Sequence, residues 1–113
     1  MESQKAIDQI RLSPGDRVRV TTESGTEYDV EAHIVIKGIL RSTVIRRPLE
    51  RPDADIEEQV IEDAAILAPG RVRTIIVGES MELVGVGAAN KPVDLRTTPV
   101  RQIIQLEDLQ EEA

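Results

Sequence analysis

The chain has 113 residues, enough for one domain with a real core and too few for two. With no Cys, Trp or Phe and a single Tyr, packing falls to Ile, Val, Leu and Ala, while disulfides, zinc–thiolate sites and thiol chemistry are excluded. The formal net charge of −7 is uneven: residues 1–52 carry nine Lys/Arg against eight Asp/Glu, residues 53–113 five against thirteen, so nucleic acid stays a minority expectation.

In chain order, Ser3 to Leu12 sets Ile7 and Ile10 at helical spacing, with Ser3 as N-cap and Pro14-Gly15 as the stop. A short helix or ordered arm is expected over residues 1–12. The N-terminus has no apolar signal-peptide core, and no apolar run approaches the roughly 20 residues that span a bilayer. A cytoplasmic protein without a membrane partner is the resulting expectation.

Val18 and Val20 alternate with Arg17, Arg19 and Thr21. From Tyr28 to Ile36 the alternation is clearer: Tyr28, Val30, Ala32, Ile34 and Ile36 point one way, and Glu27, Asp29, Glu31 and His33 the other, with Val35 the exception. Period two means a strand with one buried face. A three-residue loop at Glu23-Ser24-Gly25, with Gly25 at positive φ, keeps the two apolar faces in phase. It pairs Val20 with Tyr28 and Val18 with Val30, and sets Arg19 opposite Asp29 and Arg17 opposite Glu31.

Gly38 to Arg47 reads as a third strand, with Leu40 and Val44 on one side and Ile39 and Ile45 on the other; Pro48 and Pro52 then break regular structure. Asp55 to Leu67 repeats Ile56, Val60, Ala64 and Leu67 at helical spacing behind an Asp55/Glu58 capping box, and a helix is preferred there over a strand at Gln59–Leu67. Strands follow at Arg71–Val77, Met81–Ala88, Val93–Thr97 and Val100–Leu106, and residues 107–113 form an acidic, frayed tail. The run Leu12-Ser13-Pro14-Gly15-Asp16-Arg17-Val18-Arg19 recurs, one residue shorter, as Leu67-Ala68-Pro69-Gly70-Arg71-Val72-Arg73. Either a β-unit is duplicated, or a common Pro-Gly turn precedes two amphipathic strands; the second reading is preferred.

Motifs for chemistry fail one by one. His33, the only histidine, falls on the solvent side of its strand and lacks the company a metal needs. Asp53–Glu58 lacks the sixth-position glycine of a calcium loop. Gly85–Asn90 resembles a dinucleotide or phosphate turn only in degenerate form, with no helix following; small residues there suit a strand bend or close backbone approach. No nucleophile elbow frames Ser24, Ser42 or Ser80. Neither a catalytic residue nor a cofactor or metal is expected.

One feature stands above background: the basic stretch Lys37, Arg41, Arg46, Arg47 and Arg51, answered locally by Glu50 alone. It could track phosphates, yet the sole aromatic, Tyr28, is assigned to the buried face, and an ion-pair surface is preferred. The opening Pro14-Gly15-Asp16-Arg17-Val18-Arg19-Val20 resembles the first strand of small barrels, including Sm-like proteins and ribosomal barrel modules, and transfers no functional residue.

The expected fold is therefore all-β, a small barrel or sandwich of six to seven strands with one or two short helices, forming a single domain over residues 1–106. The expected function is a non-enzymatic interaction module that assembles, as a homo-oligomer or with another protein. Its surface is expected at Ile39 and Ile45, rimmed by Arg41, Arg46, Arg47 and Arg51. A nucleic-acid-binding barrel using residues 37–51 is the alternative, and a small-molecule binder or enzyme the third reading.

Overall fold

The computed structural model describes residues 5–48 and 58–106. Ten strands make up most of it: β1 (Lys5–Ile7), β2 (Gln9–Arg11), β3 (Arg17–Thr22), β4 (Glu27–Ile36), β5 (Ile39–Arg47), β6 (Gln59–Ala68), β7 (Arg71–Val72), β8 (Thr74–Ile76), β9 (Ser80–Val86) and β10 (Pro92–Gln105). Six of them close an antiparallel barrel in the order β3–β4–β5–β6–β9–β10, with β10 returning to β3. Around it, β1 pairs with the end of β10, β7 with β6, and β2 with β8. The fold is all-β, as the alternation implied.

The first hairpin follows from its sequence. Val18 faces Val30 and Val20 faces Tyr28, while Arg19 stands opposite Asp29 and Arg17 opposite Glu31. Gly25 closes the turn at φ +91, and the Thr22 amide donates to the Thr26 carbonyl at 3.1 Å. The inward residues join one aliphatic core that includes Val44, Ile61, Leu83 and Ile103. Tyr28, at 3% exposure, belongs to it.

Several expectations are corrected. The N-terminal segment is no helix: within the described part, β1 and β2 take up residues 5–11, because pairing with β10 and β8 satisfies their backbones. The helix expected at Asp55–Leu67 is also overturned, since 59–68 is the barrel strand β6; residues 55–57 lie outside the described residues. A bulge between Glu62 and Ala65, with Asp63 at φ +51, explains the error. The extra residue turns both Ile61 and Ala64 inward and so breaks the period-two pattern that would mark a strand, while of Val60, Ala64 and Leu67, the described residues at helical spacing, only Ala64 is buried. The sole helical turn among the described residues is the 3-10 turn Ala88–Asn90.

The two strands expected at 93–97 and 100–106 are one strand, β10. Pro99 sits at its register shift, where the strand leaves β9 and Val100 takes up pairing with β3. Conversely, the strand expected at 71–77 is split into β7 and β8 by Arg73 at φ +45. The two Pro-Gly runs accordingly lead to different places: the first into a barrel strand, the second into short strands paired with β6 and β2.

Candidate interaction surface

The outward face of β4 and β5 is built by a break in alternation. Tyr28, Val30 and Ala32 are buried, but a bulge between Ala32 and Ile34 adds His33 to β4 and reverses the phase of the residues beyond it. Ile34 and Ile36, expected on the buried face, are instead 55% and 45% exposed, while Val35, itself 38% exposed, pairs with the buried Leu40. Val35 was thus the first sign of the phase change rather than an exception. The side chain of His33 stands exposed, its Nε2 2.7 Å from Thr43 Oγ1.

Ile36 pairs with Ile39 across a two-residue turn, Lys37-Gly38, with both residues at positive φ as a type I′ turn requires. Ile39 is 46% exposed. Three isoleucines therefore share the outer face of the hairpin end. Their segment carries no other ladder partner: β3 pairs with β4 only as far as Glu31, and β6 with β5 only as far as Ser42.

The site residues inferred from sequence are brought together only in part. Ile39, Arg41, Ile45 and Arg47 do share the outer face of β5, and neither isoleucine lies in the core. Ile39 and Ile45 are not one apolar centre, however. Six residues of extended chain separate them by roughly 20 Å, with Arg41 and Thr43 between. Ile45 instead sits beside Val60 of β6. Arg46 has the opposite parity and turns toward Tyr28, its Nε 3.4 Å from the phenol oxygen, so it is no part of the rim. Arg51 lies outside the described residues.

Arg47 is already committed. Its guanidinium donates to Asp29 at 2.6 Å and to Glu58 at 2.7 Å, and Arg19 meets the same Asp29 at 2.8 Å. Burial pushes the Asp29 carboxyl up, but hydrogen bonds from Arg19 and Arg47 outweigh it and hold the group below its ordinary range. The hydrogen bond to Asp29 in turn raises both guanidinium pKa values. An intramolecular ion-pair ladder across β3, β4 and β5 thus takes up Arg19 and Arg47.

Comparison with protein-family models, curated proteins and solved structures finds no match. The reading of this surface rests on its own geometry.

The three-isoleucine patch was missed in the sequence because the apparent period ran straight through the bulge. The broken alternation at Val35, followed by Lys37-Gly38 between Ile36 and Ile39, was the available signal.

Proposed function

We propose that this domain is a non-enzymatic assembly module that associates with copies of itself through the end of the β4–β5 hairpin. The observation that carries it is the exposure of Ile34, Ile36 and Ile39 on one face of a hairpin that extends past its ladder neighbours. Burying apolar area gains about 25 cal/mol per Å2, so three half-exposed isoleucines supply the apolar centre of an interface. They cannot supply all of it, since a stable interface covers about 800 Å2 on each side; the polar residues around them must form the rim.

The charges of that rim favour a second copy. Lys37 stands at the tip of the hairpin, and Glu31 on β4 at the base of the patch. Two hairpins stacked tip over base about a twofold axis bring each Lys37 to the Glu31 of the other. The chain as a whole carries a net charge of −7, which opposes self-association and makes this local complementarity necessary.

Size exclusion coupled to light scattering tests this. The wild-type chain is expected above monomer mass, and Ile34→Asp with Ile36→Asp is expected to return it to monomer without changing its far-ultraviolet circular dichroism. A wild-type monomer at every concentration tried would refute self-assembly. With one Tyr and no Trp in the chain, the ultraviolet absorbance ratio of the same peak also reports any co-purified nucleic acid.

A further inference from the structure

The turn from β6 into β7 helps build a cleft whose charge runs against that of the chain. Pro69-Gly70 closes this turn, with Gly70 at φ +72 and Arg71 opposite Ala68. Arg73, at φ +45, then bends the chain into β8, which pairs with β2 and sets Arg11 opposite Thr74. Two hydrogen bonds hold the bend: the Leu12 amide donates to the Arg73 carbonyl at 2.8 Å, and the Thr74 hydroxyl to the Val72 carbonyl at 2.7 Å. Between β2 and β7 lies a cleft of about 480 Å3, its walls fixed in advance by these bonds.

Arg11 lines this cleft from β2 and Arg71 from β7, both exposed, and no carboxylate lines it among the described residues. Neither arginine makes an ion pair among those residues. Composition favours the opposite, since the chain has 21 Asp and Glu against 14 Lys and Arg. By contrast, Asp29 and Glu31 stand among the arginines of the β3–β5 wall, and Glu82 stands with Arg71 and Arg96 in the cleft against β9.

The size and the rest of the lining narrow the ligand. The volume lies within the roughly 300–1,000 Å3 of small-molecule sites, so a bare inorganic anion would leave most of it empty. Ile10 and Val72 offer the remainder an apolar surface. Val72, at 61%, is the most exposed large aliphatic side chain among the described residues, and the fold itself gives it no cover. Gln9, two residues from Arg11 and so on the same face of β2, adds a neutral donor.

We infer that the cleft between β2 and β7 binds a small organic phosphate monoester. Arg11 and Arg71 hold the phosphate from two walls by charge-assisted hydrogen bonds, and the organic group covers Ile10 and Val72. Two guanidiniums with no acid to offset them match a dianion better than the single charge of a carboxylate. The site needs no second copy of the chain, so it goes beyond the assembly reading and does not rest on it.

The test titrates the full chain with butyl phosphate, inorganic phosphate and butanol under amide-resolved NMR. Butyl phosphate is expected to bind with a Kd of about 1 mM or tighter and to move the amides of Arg11, Arg71 and Val72. Its binding should weaken with salt, and again as the pH falls below about 6, where the ester takes up a proton. Inorganic phosphate is expected to bind at least about tenfold more weakly, because it leaves Ile10 and Val72 uncovered, and butanol not at all. Arg11→Gln and Arg71→Gln should each lower the affinity for butyl phosphate at least about tenfold. Arg101→Gln, which removes the same charge from an exposed position on β10, should leave it unchanged. Silence at Arg11, Arg71 and Val72, equal binding of the two phosphates, or equal losses in all three variants would overturn the inference. Binding is expected to persist in Ile34→Asp with Ile36→Asp. A monomeric wild type that binds butyl phosphate refutes assembly alone, and an oligomer that ignores it refutes this site alone.

Discussion

Asp29 shows how one carboxylate organises a sheet face. It sits near the start of β4, its side chain 20% exposed, and takes a guanidinium from each neighbouring strand, Arg19 of β3 and Arg47 of β5. The two arginine side chains are 38% and 34% exposed, so solvent screening limits the pair of contacts to about 1 kcal/mol in total. Because the folded state depresses the Asp29 pKa, this stability is present above the unfolded value of about 3.9 and is lost as pH falls through the folded value. Asp29→Asn is therefore expected to unfold at lower urea than wild type at neutral pH. The gap between the two midpoints should close on acidification below about pH 4. A gap independent of pH would mean that the arginines do not act through the charge.

At the scale of elements, bulges explain most of what simple periodicity misses. The bulge in β4 exposes Ile34 and Ile36, and the one in β6 turns both Ile61 and Ala64 inward. The second bulge depends on a glycine in the facing strand. A Cβ built on Gly85 of β9 would stand 2.7 Å from the Glu62 carbonyl oxygen, 2.8 Å from Ile61 Cγ2 and 3.0 Å from Ala64 Cα. Two of these atoms are backbone and cannot yield without displacing the bulge. Gly85→Ala is expected to cost about 1–3 kcal/mol in chemical denaturation, with the larger share if β6 cannot shift. An unchanged midpoint would show that β6 moves freely against β9. The sequence reading of small residues here as a close backbone approach agrees with this geometry.

At the scale of the whole molecule, the barrel and the β2–β8 ladder share one core. Leu12, just after β2 in the chain, is fully buried, as is Ile75 of β8, and both belong to the same aliphatic cluster as the barrel residues Val18 and Leu83. The backbone reinforces the link: the Leu12 amide donates to the Arg73 carbonyl at 2.8 Å, and the Val77 amide to the Asp8 carbonyl at 2.9 Å. Leu12→Ala is expected to cost about 3–4 kcal/mol and to shift a single cooperative transition in calorimetry. Two transitions would mean that the β2–β8 ladder melts apart from the barrel. The same scale sets the charge balance: carboxylates answer Arg19 and Arg47 on one wall, while among the described residues Lys37 and Arg41 of the hairpin and Arg71 and Arg73 around β7 make no ion pair.

Periodicity and turn chemistry along the chain suffice for the all-β class, the aliphatic core, and the register and turn of the β3–β4 hairpin. These rest on short-range information: side chains two apart share a face, and Gly25 permits the one loop that keeps Val18 and Val20 in phase with Val30 and Tyr28. Strand pairing and bulges in the folded chain set the rest: residues 59–68 join the barrel, Arg46 turns toward Tyr28 while Arg47 faces Asp29, and Ile34 and Ile36 lie outside. Each of these depends on a partner strand distant in sequence, or on one extra residue in a strand. An added residue reverses every side chain after it while leaving the local preference of the chain for extended backbone unchanged.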